Sequence, residues 1–538
     1  MAGFFTRSKN DMKYLFAKKD SLSKKERKRK RRGWSTVIGI VLVLIQLVLT
    51  ILVLKNVITL DILPTKYLIG LTLFVIFVWL YDFTSQFSNF KILGKLLAIL
   101  LSAVMLYSYI FSAKVVSTLS TISGISTTTD IYSVVVLESD KASSISDIGD
   151  YKVGYNDTID SQLYKEAMDL IESNNKVSPE YKDYDSWENM FDALYANKDI
   201  QAVLISNSSL TSLKETDETL DGKIKVIGTV SVVSKITVEK AKKVSASKPF
   251  VIFLSGFDEF DTLSYTGHSD VNILAVVNPE TRQVLLVTTP RDSYVEIFDD
   301  NGGSDLDKLT HAGNFGVDNT IKTLENLYDG LDIDYFVRVN FTGCMGVVDA
   351  LGGITVESET AFRSGTNAYF EPFDFDEGEN YLDGAHTLAF VRERMAFKAE
   401  GDFRRGRNQI AAIKGIINKA TSPAILTNYS AVLDAVSDMM LTDMPSSFIT
   451  QLVKEQLSNG GEWNIQSYAV QAERTGYGNS RYFDLYGMSV DYLSSDSINM
   501  ANQLMTKIQN GDVFDVDEYV ENANNEATSQ STTSSTNK

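Results

Sequence analysis

From Gly33 to Leu54 the chain carries no charge, and Val, Leu and Ile dominate. A run of that length spans a bilayer as a helix. Two further apolar runs follow. One covers Tyr67 to Tyr81, with Lys66 and Asp82 able to snorkel at its ends, and is short for a span. The other covers Leu96 to Ala113, between Lys95 and Lys114. Ahead of them, residues 1–33 hold thirteen Lys or Arg against Asp11, Asp20 and Glu26, a balance of +10. The whole chain has a formal net charge of −18, so the remainder carries −28. A basic tail before the first span places the N-terminus in the cytoplasm, and three spans put everything after residue 114 outside the cell. The first run is long and no small-residue cleavage site closes it, so it reads as an anchor and not a removed signal peptide. The Arg/Lys cluster at 24–32 also attracts anionic lipid. DNA binding by this tail is the competing reading, and nucleic acid is not an expected partner.

A length of 538 residues suits about three domains. Hydrophobic content of 44% and charged content of 22% exclude a chain disordered throughout. Cys344 is the only cysteine, so no disulfide can form within the chain. A catalytic thiol needs a nearby histidine, and only His268, His311 and His386 exist. Cys344 is therefore read as a core residue.

Beyond the spans, residues 115–130 read as a Ser/Thr-rich linker. Strands are expected at Ile131–Leu137, Tyr151–Tyr155 and Ile200–Ile205, with helices at Gln162–Asn174 and Ser186–Ala196. This alternation suggests a small α/β domain. Part of it, from Tyr184-Asp185-Ser186-Trp187 to Val203-Leu204, resembles a fragment of extracytoplasmic solute-binding domains. The segment after Ile236, with Lys240, Lys242 and Lys243, reads as a connector.

From Lys248 the pattern sharpens. Pro249–Ser255 and Val271–Val277 are apolar strands, and Gln283–Thr289 returns beside the second after the turn Asn278-Pro279-Glu280-Thr281. Helices are expected at Gly316–Tyr328, Phe341–Leu351, Arg407–Ile417, Ile425–Met440 and Ser446–Gln456. Strands are expected at Tyr335–Asn340 and Ile354–Val356. The segment 522–538 is rich in Ser, Thr and Asn and reads as disordered.

Candidate chemistry lies in this last part. Leu388, Phe390, Arg392 and Arg394 alternate with their neighbours, which on a strand sends both arginines out by one face. Asp402, Arg405 and Gln409 are spaced to share a face at the start of a helix. Guanidinium forks set this way suit a pyrophosphate. The same spacing also describes a solvated helix start with ion pairs. Asp258, Asp270 and Arg291-Asp292 fall at strand ends, where α/β domains place ligands. Two aspartates without Cys or clustered His favour a hard cation such as Mg²⁺. Turn and strand-cap duty is the plainer reading of both aspartates.

Several motifs, in order, resemble the LytR-CpsA-Psr family. They are Ser255-Gly256-Phe257-Asp258, Ser269-Asp270-Val271-Asn272, Thr288-Thr289-Pro290-Arg291-Asp292-Ser293-Tyr294 and Lys308-Leu309-Thr310-His311-Ala312-Gly313. Phe390-Val391-Arg392-Glu393-Arg394 and Asp402 to Gln409 complete the set. The resemblance covers roughly 248–510, and the three-span anchor resembles capsule-type members. Together with the residue patterns above, the expected α/β chain has a basic tail over 1–33, a three-helix membrane anchor over 34–114, an accessory α/β domain over 115–245, a larger mixed α/β domain over 246–512, which the resemblance marks as catalytic, and a disordered tail over 513–538.

The resemblance also implies a metal-dependent phosphotransferase. Such an enzyme moves a glycopolymer, here capsular polysaccharide, from a polyprenyl-pyrophosphate carrier to peptidoglycan. Carried over by motif, Asp258 and Asp270 hold Mg²⁺ or Mn²⁺. Arg291, Arg392, Arg394, Arg405 and Gln409 bind pyrophosphate, and Asp402 orients the arginines or moves a proton. The lipid bilayer and other capsule-assembly membrane proteins are the remaining expected partners. His268 stands where many members have Arg, and Arg404 and Arg407 read as surface charge. An elongated apolar pocket is expected at the arginine rim, with 316–328 and 341–351 as walls. A polyprenyl-pyrophosphate phosphatase and a non-catalytic sensor of lipid-linked polymer are the alternatives.

Overall fold

Ser23 starts the first helix with a reciprocal cap: its side chain accepts from the Glu26 amide while Glu26 Oε2 takes the Ser23 N–H at 2.9 Å. The helix that follows, α1 (Lys24–Leu60), carries the basic cluster on its first turns and the first apolar run behind it. α2 (Thr65–Ser85) and α3 (Lys91–Ile122) complete three helices long and apolar enough to cross a membrane. In the computed structural model, the described residues are all except 1–5, 7–8, 89–90, 123–127, 157–160, 217–218, 235–243, 258–263, 300–301, 366–370, 423–431, 433–434, 436–439, 484 and 536–538. Polar contacts join the helices: Trp79 Nε1 donates to the Val43 carbonyl at 3.1 Å, and Lys95 Nζ to Ser35 Oγ at 2.8 Å. A helix from far down the chain, Ser446–Asn459, belongs to this compact unit, where Lys454 Nζ meets Asp61 Oδ1 at 2.8 Å.

The second unit takes in Ile122–Pro445 and Glu462–Lys538. Its first part comprises β1 (Thr128–Leu137), β2 (Lys152–Tyr155), α4 (Ser161–Asn175), β3 (Glu180–Asp183), α5 (Trp187–Ala196), β4 (Ala202–Ser206), α6 (Asn207–Thr216) and β5 (Ile224–Ser234). The strands form one sheet in the order β3-β2-β4-β1-β5. Its core includes Val134, Ile171, Leu194 and Val203, and also Phe483, Leu485 and Val490 from the far end of the chain. The expected boundary near 245 is thus bridged by shared packing.

The larger sheet is built from β6 (Phe250–Phe257), β7 (Val271–Asn278), β8 (Gln283–Thr288), β11 (Tyr335–Asn340), β14 (Met440–Thr442) and β15 (Asn464–Ala469), in the order β14-β11-β6-β7-β8-β15. The hairpin β9 (Tyr294–Phe298) and β10 (Ser304–Lys308) lies between β8 and α7 (Val317–Leu327). After β11 come α8 (Phe341–Ala350), β12 (Ile354–Ser358), β13 (Gly378–Leu382), α9 (Gly384–Arg392) and α10 (Gly401–Thr421). The chain closes with the hairpin β16 (Ala472–Ser480) and β17 (Leu485–Leu493), then α11 (Ser495–Asn510) and α12 (Val516–Ser535).

Period-two alternation sorts the central strands onto two faces. Val251, Phe253, Leu274, Val276, Leu285 and Val287 face one way and are sealed under α7 and α11. Ile252, Leu254, Ile273, Ala275 and Leu286 face the other, against Ile410 of α10.

Three expectations change. Residues 388–394 are not a strand: α9 holds them as far as Arg392, capped by the Asp383 side chain accepting the His386 N–H at 2.9 Å. Thr387, Leu388, Ala389 and Phe390 are all buried, so the residues between the apolar positions do not reach water and the apparent alternation is not a strand's. The C-terminal segment is not disordered from 513. Val516 is buried, and Phe514, Tyr519 and Val520 pack against the core, holding α12 in place. The Ser/Thr/Asn composition past 522 concealed this anchor. Arg404 is not surface charge: it is 6% exposed, ion-paired to Glu359 and bonded to Thr360 Oγ1 at 2.8 Å. The helix expected over 425–440 lies almost wholly outside the described residues, as does the connector after Ile236, and Met440–Thr442 is a strand.

Candidate active site

The C-terminal ends of β6 and β8 and the start of β7 meet at one rim of the central sheet. β7 runs antiparallel to β6 with Gly256 opposite Val271, so Asp270 sits beside the end of β6, and the Asp270 amide donates to the Gly256 carbonyl at 2.8 Å. Arg291, just past β8, reaches back and donates from Nη1 to Asp270 Oδ1. Asp292 beside it is ion-paired with Lys308, Oδ1 to Nζ at 2.9 Å.

Arg338 fixes the loop that delivers these groups. It lies on β11 among Phe336 and Val337, fully buried, over the Phe257 ring at 4.4 Å. Its guanidinium donates to the carbonyls of Ser264 (3.0 Å), Thr266 (3.1 Å) and Gly267 (2.9 Å) and to Ser255 Oγ (3.0 Å). Gly267 sits at φ +112°, and its carbonyl would lie 2.2 Å from a β-carbon at Gly313, so that crossing has no room for a side chain. The sequence reading missed Arg338; a lone charge inside an apolar strand was the available signal.

α10 brings the next cation. Gly406 backs onto Thr288, the last residue of β8: a β-carbon there would touch the threonine methyl at 3.5 Å. Arg405 is the preceding residue. Burial works to raise the pKa of Asp270, but the charges of Arg291, His268 and Arg405, with the hydrogen bond from Arg291, outweigh it and hold the carboxyl below its ordinary value. Burial likewise opposes ionisation of Asp292, and Arg291, Lys308 and Arg405 together pull it down to about 2. Asp270, Arg291, Asp292, Lys308 and Arg405 therefore act on one another as a single patch.

Arg392 and Arg394 lie at the end of α9, whose last carbonyls are held from α10. Asn408 Nδ2 donates to Phe390 O at 3.1 Å, and Gln409 Nε2 to Val391 O at 3.5 Å. Gln409 in this conformation steadies the arginine segment. Glu393, buried between the two arginines, accepts from the amides of Gly365 (2.6 Å) and Ala396 (2.7 Å) and sets the turn out of the helix. Glu393 has no assigned role in the sequence reading. Asp258 lies outside the described residues. Asp402 is on the first turn of α10, with its side chain outside them.

His268 turns away from this patch toward the first sheet, with Nε2 2.6 Å from Ser212 Oγ on α6. Its ring neighbours His311, which is paired with buried Asp307 at 2.7 Å. Burial pushes the Cys344 thiol up to about 11, which leaves no thiolate nucleophile at neutral pH.

The donors available to a metal are oxygens: the Asp270 carboxylate and, two residues on, the Asn272 side-chain oxygen, which is buried without a hydrogen-bond partner. Oxygen is the donor type a hard cation such as Mg²⁺ takes, and among the described residues no three His, Cys, Asp or Glu side chains gather to hold one. The expected apolar pocket is only partly in place. α7 packs under the opposite face of the sheet. On the α10 face, Leu254 pairs with Val337 and Gly256 with Val339 and Val271. Leu254, Val337, Val339 and Val271 are all half-buried, although their strands are central. This half-open apolar strip ends at Val271, the residue after Asp270.

A family model, the LytR_cpsA_psr family, matches residues 203–499. The chain is 34% identical over 230 residues to the polyisoprenyl-teichoic acid–peptidoglycan teichoic acid transferase TagU of Bacillus licheniformis, covering 43% of this chain and 67% of that protein. It is 35% identical over 232 residues to the protein of the same name from Bacillus subtilis, again covering 43% and 67%. The crystal structure of protein gbs0355 from Streptococcus agalactiae aligns at 25% identity and a TM-score of 0.42, over 50% of this chain and 92% of that one. By the family match over more than half its length, the chain belongs to the LytR-CpsA-Psr family.

Proposed function

We propose that this protein transfers a glycopolymer from a polyprenyl-pyrophosphate carrier to peptidoglycan, with capsular polysaccharide as the polymer. The observation that carries the reading is the patch formed by Asp270, Arg291 and Arg405 at the point where the half-open apolar strip ends. An isoprenoid on the strip brings its pyrophosphate to that patch. The names of the TagU relatives describe the same kind of transfer for teichoic acid.

An acceptor hydroxyl oxygen attacks the phosphorus that bears the polymer. A new P–O bond forms, the bond to the bridging oxygen breaks, and polyprenyl phosphate leaves. Arg291 and Arg405, joined by Arg392 at the end of α9 and Arg394 two residues on, neutralise charge on the phosphoryl oxygens, where most of the catalytic effect in such a transfer arises. Asp402, three residues before Arg405, orients the guanidinium groups or takes the hydroxyl proton. Asp270, with Asp258 matched by motif, would hold Mg²⁺ or Mn²⁺, which would supply further charge neutralisation. Buried Arg338 keeps the Asp270 loop in place, so little reorganisation is needed on binding. The basic tail and the basic first turns of α1 set the N-terminus in the cytoplasm and the enzymatic part outside.

The test is transfer by the full-length protein in detergent, from a lipid-linked polymer to peptidoglycan fragments, with product analysis. Polymer joined to a muropeptide supports the reading. Free polymer phosphate as the sole product would replace it with a hydrolase, and chelation that leaves transfer unchanged would remove the metal.

A further inference from the structure

A groove of about 1570 Å³ with a mixed polar and apolar lining runs along the edge strand of the central sheet. Its floor is β15, the edge strand, through Ser467, Tyr468 and Ala469. Its two walls differ in charge. α10 contributes Arg407, Lys414 and Lys419, and no acid. α11 and α12 contribute Asp496, Asp517 and Glu521, and no base. Lys414 leans over the floor with Nζ 3.0 Å from Ser467 Oγ, within electrostatic reach of Asp517 across the gap. At the near end, Glu357 of β12 and Glu359 just past it join the lining, and Glu359 is already bound by Arg404 and Arg407. That end lies two residues along α10 from Arg405, which acts on Asp270.

A volume this large exceeds the roughly 300–1,000 Å³ of an ordinary small-molecule site. Opposed charges on the walls disfavour a uniformly anionic polymer and suit a ligand carrying both carboxylates and an amine. An edge strand offers backbone hydrogen bonds to an extended peptide. From Arg407 to Lys419 the helix rises about 18 Å, and five extended residues span about 17 Å. The geometry points to this groove as the seat of the acceptor's short stem peptide, which holds the peptidoglycan sugar hydroxyl toward the arginine patch. This rests on the transfer reading above and adds what the enzyme recognises on the acceptor.

The test is direct binding, which does not depend on turnover. The full-length protein in detergent is titrated with a disaccharide-pentapeptide and with the same disaccharide lacking its peptide. The wild-type chain should bind the peptide-bearing fragment about tenfold more tightly. The double variant Asp517→Lys, Glu521→Lys, at two exposed positions, should weaken that fragment about fivefold and leave the bare disaccharide unchanged. The isosteric pair Asp517→Asn, Glu521→Gln should weaken it in the same direction without added bulk. Equal binding of the two fragments, or unchanged binding in both double variants, overturns the proposal. Intact peptide-dependent binding with no transfer counts against the transfer reading alone.

Discussion

The two faces of the central sheet are made by the same strands and treated in opposite ways. On one, Val251, Phe253, Leu274, Val276, Leu285 and Val287 have no exposed surface at all. On the other, Ile273 and Leu286 are sealed against Ile410 of α10, while Leu254, Val337, Val339 and Val271 stay half-buried. Neighbouring residues such as Phe253 and Leu254 therefore contribute differently. The sealed face supplies the burial that stabilises the fold. The open face leaves that stabilisation incomplete, and a chain keeps apolar surface unburied in mid-sheet when something else covers it.

The widest separation should come from truncating adjacent residues. Phe253→Ala should lose about 3–5 kcal/mol, the usual range for a buried aromatic. Leu254→Ala should lose about 1 kcal/mol, because only part of the side chain leaves water on folding. Chemical denaturation of the two variants checks this, and equal losses would erase the distinction between the faces. Next in size is Arg291→Ala at the end of the open strip. It removes a donor aimed at developing charge and should lower kcat about 10²–10³-fold. Loss of transfer only in proportion to lost folded protein would give Arg291 a structural role alone.

Filling the strip tests the open face more directly. Leu254→Trp should raise the KM for a long-chain lipid donor about tenfold, and barely affect a short-chain donor. The corresponding insertion on the sealed face, Val276→Trp, should disrupt folding through overpacking. If Leu254→Trp treats both donors alike, the strip is not where the isoprenoid lies.

The face contrast was legible in the sequence only as far as alternation goes. Val271–Val277 reads as one continuous apolar run, and nothing in it says which side is covered. The expected wall at 316–328 went to the sealed face because Val317 and Leu324 pack beneath Val287 and its neighbours, a choice made by tertiary packing. Motif order singled out Asp270, Arg291 and Arg405, and the fold sets their charges on one another. The site was not legible where a residue acts through buried contacts. Arg338 makes four hydrogen bonds to residues 71–83 positions away. Gln409 was matched to pyrophosphate but spends its amide on the Val391 carbonyl, and Glu393 holds the turn between two arginines that drew the attention.

The smallest expected effect is a pH dependence that separates the sealed face from the rim. Asp292 titrates at about 2 in the folded chain: burial opposes its charge, and Arg291, Lys308 and Arg405 more than offset it. An unfolded aspartate titrates near ~3.9. A depressed folded pKa contributes stability that is complete above the unfolded value and disappears as pH falls through the folded one. Asp292→Asn should therefore lower the melting temperature at neutral pH, and the gap to wild type should narrow between about pH 4 and pH 2. Phe253→Ala has no titrating group and should shift the whole melting-temperature profile downward by a similar amount across that window. Scanning fluorimetry of the full-length chain in detergent reads both curves. Parallel profiles for Asp292→Asn and wild type would mean that the rim carboxylate is not held by its cations, leaving Asp270 and Arg291 alone as the organised pair.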